Sequence, residues 1–174
     1  MKQHAEKEII IPTALCDKKG NLNPEAIGFA RQPIIDCNLS GHFMRKKKWN
    51  YWCVYGEEIL FSATISHLDY AAVCFVYFLE YETQRYFEKT ITIPLGSKVN
   101  MPSQVLETVN FKSSDMTIQL TYFNGVTHLT VISPNFDGEH LHAELTIEHP
   151  PKDKSLNVVI PWNRQTFQFT AKHH

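Results

Sequence analysis

From Trp49 onward the hydrophobic positions recur with a period of two. Residues 49–55 read as a strand. Over 58–67, Ile59, Phe61, Ala63 and Ile65 share one face, while Glu58, Ser62, Thr64 and Ser66 share the other. Successive side chains leave a strand in opposite directions, so this alternation predicts a strand with one dry face and one wet face. Residues 70–81 differ. Ala72, Cys74, Val76 and Phe78 oppose Val73, Phe75, Tyr77 and Leu79, so both faces are apolar. That pattern predicts a central strand covered on both sides.

The sharpest local signal is Asn124-Gly125. A two-residue type I′ turn needs positive φ at both positions, which Asn and Gly tolerate. With the turn there, Phe123 pairs with Val126, Leu120 with Leu129 and Ile118 with Val131. Gln119 with Thr130, and Thr121 with His128, fall on the opposite face. Turn chemistry and apolar register agree on one hairpin. A second turn at 134–138 leads into 139–149, where Leu141, Ala143, Leu145 and Ile147 alternate with polar residues. Strands near 156–161 and 166–171 follow.

The first part of the chain reads as a loop-rich cap. Residues 7–11 predict a short strand stopped by Pro12. Asn23-Pro24-Glu25-Ala26 predicts a short helix: a capping side chain, proline at the first helical position, then an acid. Pro33 ends it. The domain expectation is therefore a cap over 1–48 and an antiparallel β domain over 49–174. Roughly eight strands against one short helix predict an all-β fold, either a barrel or a half-open sandwich. The last strand runs almost into the C-terminus and leaves a sheet edge, which points to a piece of a longer protein.

Composition narrows the classes of function. With 174 residues, 17 Lys+Arg and 18 Asp+Glu, the net charge is −1. No overall attraction to nucleic acid or to an anionic membrane follows. No apolar run is long enough for a transmembrane helix, and the N-terminus lacks a secretory apolar core, so a cytoplasmic protein is expected. Cys16, Cys37, Cys53 and Cys74 are widely spaced without a CxxC, which predicts reduced thiols.

Nucleotide-binding, Walker, zincin and hydrolase motifs are absent. Arg45-Lys46-Lys47-Lys48-Trp49-Asn50-Tyr51-Trp52 places cations beside stackable rings, yet a solvated charged turn entering an aromatic strand is the favoured reading, since the rest of the chain supplies no basic surface. His67 and Asp69 continue the Ile59–Phe61–Ala63–Ile65 face at its end and form a candidate acid/base pair. The competing reading is a turn. His140, His142 and Glu144 share one strand side at metal-ligand spacing, but clean alternation accounts for them, and neither metal nor cofactor is expected.

Leu15-Cys16-Asp17, Gly20-Asn21-Leu22-Asn23, Cys37-Asn38-Leu39-Ser40-Gly41-His42 and the RKKKWNYWC string ending at Cys53 resemble a bacterial family, domain of unknown function 2804. The likeness continues through Phe61-Ser62-Ala63-Thr64-Ile65, Leu68-Asp69-Tyr70 and Val159-Ile160-Pro161-Trp162. The resemblance implies two β-rich halves of calycin, lipocalin-like character, similar in outline to hydroxyneurosporene synthase. It also implies that the chain covers only the N-terminal half, so a C-terminal half of the same chain is the expected partner. It carries no catalytic residue onto this chain.

Three functions follow as expectations. The first is binding of a hydrophobic small molecule, a lipid or terpenoid, in a barrel cavity, with Asn38, His42, Trp49, Asn50, Tyr51, Trp52 and Tyr70 as contacts. The second is a hydratase or isomerase on an unsaturated lipid or terpenoid, with Asp69 as acid and His67 as partner. The third is a structural or interaction module.

Overall fold

In a computed structural model, residues 6–173 are described. In chain order the elements are β1 (Thr13–Ala14), a 3-10 turn (Pro24–Ala26), β2 (Gly28–Ala30), β3 (Ile35–Asp36), β4 (Lys48–Tyr55), β5 (Ile59–His67), β6 (Ala71–Glu80) and β7 (Tyr86–Pro94). There follow β8 (Val109–Lys112), β9 (Thr117–Phe123), β10 (Val126–Phe136), β11 (Glu139–Glu148), β12 (Leu156–Asn163) and β13 (Thr166–Lys172). The fold is all-β. No described helix is long and apolar enough to cross a membrane.

The chain forms two compact units. One gathers the described part of Met1–His42 with Pro102–Leu106 and Pro150–His174; the other gathers Phe43–Met101 with Glu107–His149. In the first unit β2 pairs antiparallel with β12, and β12 with β13, while β1 and β3 form a short parallel pair. Leu15, Ala26, Ala30 and Ile35 are fully buried at its centre, beside Leu22 and Val159.

The helix expected after Asn23 is only a single 3-10 turn. Asn23 Oδ1 does accept the Glu25 N–H at 3.1 Å, as a cap should. Ile27, however, is already extended, and the next three residues belong to β2. Gly28 has φ +143, and a Cβ there would run into the Lys7 carbonyl. Strand pairing on both sides of β2 therefore takes the residues a helix would need.

The second unit is a pair of four-stranded antiparallel sheets, in the orders β4-β5-β6-β7 and β11-β10-β9-β8. Their inward rows meet in one core. Phe61, Ala63, Ile65, Ala72, Cys74 and Val76 come from the first sheet; Val109, Phe111, Ile118, Leu120, Leu129 and Val131 come from the second. The hairpin turns at Asn124-Gly125, with φ of +48 and +80, and pairs Leu120 with Leu129 and Ile118 with Val131. One polar tie and one aromatic contact link the sheets. Lys89 Nζ donates to Ser133 Oγ at 3.1 Å and to the Asn135 carbonyl at 2.5 Å. Across the other side, the His149 ring sits 5.8 Å from Trp52 and 5.9 Å from Tyr122, and its Nε2 is 2.9 Å from Thr127 Oγ1.

The sheets do not close into a barrel. Closure needs β7 to pair with β8, but residues 95–108 between them form turns and β8 pairs only with β9. The sandwich form of the sequence expectation holds, and its barrel form does not.

Candidate functional site

Two places in the second unit gather the chemistry-bearing residues. The first is the tight turn between β5 and β6. The Leu68 N–H donates to the Ala71 carbonyl at 2.7 Å, and Asp69 takes the left-handed conformation with φ +67. Asp and Asn tolerate that region better than most residues. The Asp69 N–H donates to His67 Nδ1 at 3.2 Å, which fixes Nδ1 as an acceptor. Asp69 Oδ2 accepts from the Lys46 backbone N–H at 3.2 Å and from Lys46 Nζ at 2.9 Å. Gly96, with φ +64, leaves room for the imidazole, because a Cβ there would run into the His67 ring.

The electrostatics of this turn are those of an ion pair. Burial pushes the Asp69 carboxyl up, but the Lys46 side chain and backbone N–H outweigh it and hold the group below its ordinary value. The Asp69 side chain is 9% exposed and its partner 24%. A proton donor for carbocation chemistry must instead be held protonated near neutral pH. The geometry therefore suits anchoring of the Lys46 segment to the turn and does not favour acid catalysis by Asp69. Tyr70 stands half exposed beside it, and its carbonyl accepts the Leu95 N–H at 2.8 Å.

The second place is the outward side of the β4–β7 sheet, and register assembles it. Trp49 lies opposite Ser66, and Ser66 opposite Val73; Tyr51, Thr64 and Phe75 form the next row; Cys53, Ser62 and Tyr77 the third. The small hydroxyl residues of β5 thus run between aromatic residues of β4 and β6. The expected wet face of β5 is dry: Ser62, Thr64 and Ser66 are 0%, 4% and 7% exposed. Flanking rings remove the water that alternation assigns to these positions. The outward row of β6, expected to be covered, is instead half buried.

The walls are ordered. Phe75 and Tyr77 stack at 6.3 Å, Tyr77 and Tyr86 approach at 6.2 Å, and the Tyr51 and Tyr77 hydroxyls bond across β5 at 2.8 Å. That bond and partial burial push the Tyr51 phenol up, with Cys53 and Ser62 beside it. Ser66 Oγ donates to the Val73 carbonyl at 2.5 Å. Thr64 Oγ1 is buried with no hydrogen-bond partner. Trp49 and Tyr55 stay 50% and 76% exposed.

The remaining predicted residues lie elsewhere. Trp52 and Asn50 occupy the inward side of β4, opposite Ala63 and Ile65. Asn38 and His42 belong to the first unit. There Asn38 clasps the Cys16 backbone, accepting its N–H at 2.8 Å and donating to its carbonyl at 2.9 Å. His42 Nε2 meets the Gly20 carbonyl at 3.1 Å. Thr64 and Tyr77 join the candidate site without having been singled out by the sequence. Only the β4–β5–β6 register brings them beside Tyr51. All four cysteines are free thiols, with burial raising Cys74 to about 11. His142 pairs with Glu144 at 3.1 Å, and no group of three metal-ligating side chains forms among the described residues.

The fold and this face define an all-β sandwich with one unusually aromatic sheet surface. A family model described as Domain of unknown function (DUF2804) matches residues 6–174, and the chain belongs to that family. No curated protein and no solved structure matches it.

Proposed function

We propose that the protein is a binding module for a hydrophobic small molecule, a lipid or a terpenoid. The supporting observation is the outward face of the β4–β7 sheet, where half-exposed Trp49 and Tyr51 stand beside a strand whose outward hydroxyls are dry. Soluble domains seldom leave neighbouring large rings unpartnered, and such patches mark sites of interaction. Lipocalin-like kinship is part of the same proposal, with one difference: an open sandwich offers its ligand a sheet face rather than a barrel cavity.

Titration of the full chain with long-chain and isoprenoid compounds, followed by tryptophan fluorescence and melting temperature, tests this. Binding should raise the melting temperature of the native chain by mass action. Trp49→Ala should abolish the shift while leaving the unliganded melting temperature within a degree or two of the native value. A flat response across the panel would overturn the proposal.

A further inference from the structure

The outward face of β5 is more selective than an apolar patch, and we infer that it recognises a linear apolar chain carrying one hydroxyl or carbonyl oxygen, which Thr64 binds once the Tyr51–Tyr77 tie opens. The inference rests on the binding reading above and names its ligand class.

The register lays out a trough whose floor the flanking rings cover in this structure, with Ser62, Thr64 and Ser66 0%, 4% and 7% exposed. Its floor is β5, with Ser62, Thr64 and Ser66 facing out. Its walls stand on β4 and β6, two strand spacings apart, or about 9–10 Å. Trp49 and Tyr51 form one wall; Phe75 and Tyr77 form the other. A trough along a strand accepts an extended chain better than a compact ring system.

The floor sets the polarity of the ligand. Ser66 Oγ is already committed to the Val73 carbonyl, and Ser62 lies beside the Tyr51 hydroxyl. Ser62 Oγ and Thr64 Oγ1 are both buried without a hydrogen-bond partner; Ser62 has the Tyr51 hydroxyl beside it, so Thr64 is the hydroxyl of this row left to a ligand. A buried hydroxyl without a partner is costly, so one complementary oxygen is favoured there. A sugar would bring many hydroxyls to walls of Phe75 and Trp49 that satisfy none of them. The ligand therefore carries one oxygen on an otherwise apolar chain.

The tie controls entry. Tyr51 and Tyr77 bond to each other over β5, between the levels of Thr64 and Ser62. Tyr51 is 46% exposed, so its ring can turn outward without unpacking the core. The exchange costs one exposed hydrogen bond and frees two hydroxyls at the mouth of the trough.

The test uses the full chain and two probes, 1-dodecanol and 1-chlorododecane, which share a chain and differ in the hydroxyl. Calorimetric titration should show the native protein preferring the alcohol. Thr64→Val keeps the shape and removes the hydroxyl. It should weaken the alcohol about three- to tenfold, the worth of one neutral hydrogen bond, and leave the chloride unchanged. Thr64→Ser should keep the preference. Tyr51→Phe should tighten both probes, because it removes the tie. An alcohol preference that survives Thr64→Val would overturn the inference. Equal binding of both probes, lost together in Trp49→Ala, would also overturn it while leaving the binding module standing. Binding of neither probe, with a flat lipid and isoprenoid panel, would remove both.

Discussion

The two sheets of the second unit are near twins in architecture and opposites on their outward sides. Each has four antiparallel strands, and each sends an apolar row into the same core. Outward, the β8–β11 sheet shows Gln119, Thr121, His128, Thr146 and Glu148, all exposed. His128 Nδ1 lies 3.4 Å from Thr146 Oγ1, and His142 pairs with Glu144, as surface groups do. Phe123 at the hairpin end is also outward and 69% exposed; the polar residues around it are what a sandwich needs to stay in water. The β4–β7 sheet adds stacked rings, a tyrosine–tyrosine bond and a dry row of hydroxyls that the core does not require. The difference separates residues that make the fold from residues that the fold carries.

The largest effects should fall on what the sheets share. Ile65→Ala in the first sheet and Leu129→Ala in the second each empty a buried site in one core. Each should cost about 2–5 kcal/mol, read by denaturant unfolding. Both variants should unfold in a single transition with unchanged slope. Two separate transitions would show that the sheets do not stand or fall together.

The β5–β6 turn comes next. Asp69→Asn keeps the shape and removes the charge that Lys46 Nζ and its backbone N–H satisfy. With Asp69 held below its ordinary value, its contribution is present above about pH 3.8 and is lost as pH falls through the lower folded value. Thus Asp69→Asn should destabilise by about 1–3 kcal/mol at pH 7. The gap between native and variant should close in acid. A gap that persists at pH 2 would show that the loss comes from shape.

The sequence makes some of this legible and hides the rest for physical reasons. The Asn124-Gly125 hairpin is readable because turn chemistry and core pairing act on the same residues, Leu120 with Leu129 and Ile118 with Val131. β7 does not stand out. Lys89 interrupts its inward row of Phe87, Ile91 and Ile93, and only the Ser133 and Asn135 partners on another sheet explain a lysine there. The candidate face is legible in part. Trp49 and Tyr51 announce themselves as aromatic, whereas Thr64 looks like an ordinary wet-face residue. Its burial depends on Tyr51 and Phe75 arriving from strands whose register the sequence does not fix. Trp52 reads like its neighbours, yet alternation puts it inward against His149.

The tie between Trp52, Tyr122 and His149 gives a smaller, pH-dependent effect. Burial holds the His149 imidazole below its ordinary value of 6.5, so the folded state prefers it neutral. A group with a depressed folded value binds protons more readily when unfolded. Its stabilising effect is therefore complete above about pH 6.5 and is lost as pH falls toward the folded value. His149→Phe keeps a ring between Trp52 and Tyr122 and removes the titration. Its melting temperature should fall less than that of the native chain between pH 7 and pH 5. Parallel curves for the two proteins would assign the acid response to other groups.

The smallest effect discriminates best between the two outward faces, because it compares one change at two sites. Thr64 and Thr121 both stand outward on interior strands, β5 and β9, so strand position is held constant. Thr64 is buried with its hydroxyl unpaired; Thr121 is exposed. Valine has nearly the shape of threonine and no hydroxyl. At position 64 the change removes a buried group that has no partner, and stability should rise by about 1 kcal/mol. At position 121 water already satisfies the hydroxyl, and the change should stay within about 0.5 kcal/mol. Urea midpoints of the two variants, measured side by side, read the contrast. A gain at 64 alone is the outcome expected if the unpaired hydroxyl is kept for a ligand rather than for the fold. A loss of stability in Thr64→Val would mean that the hydroxyl already serves the fold, and the contrast between the faces would then be one of packing only.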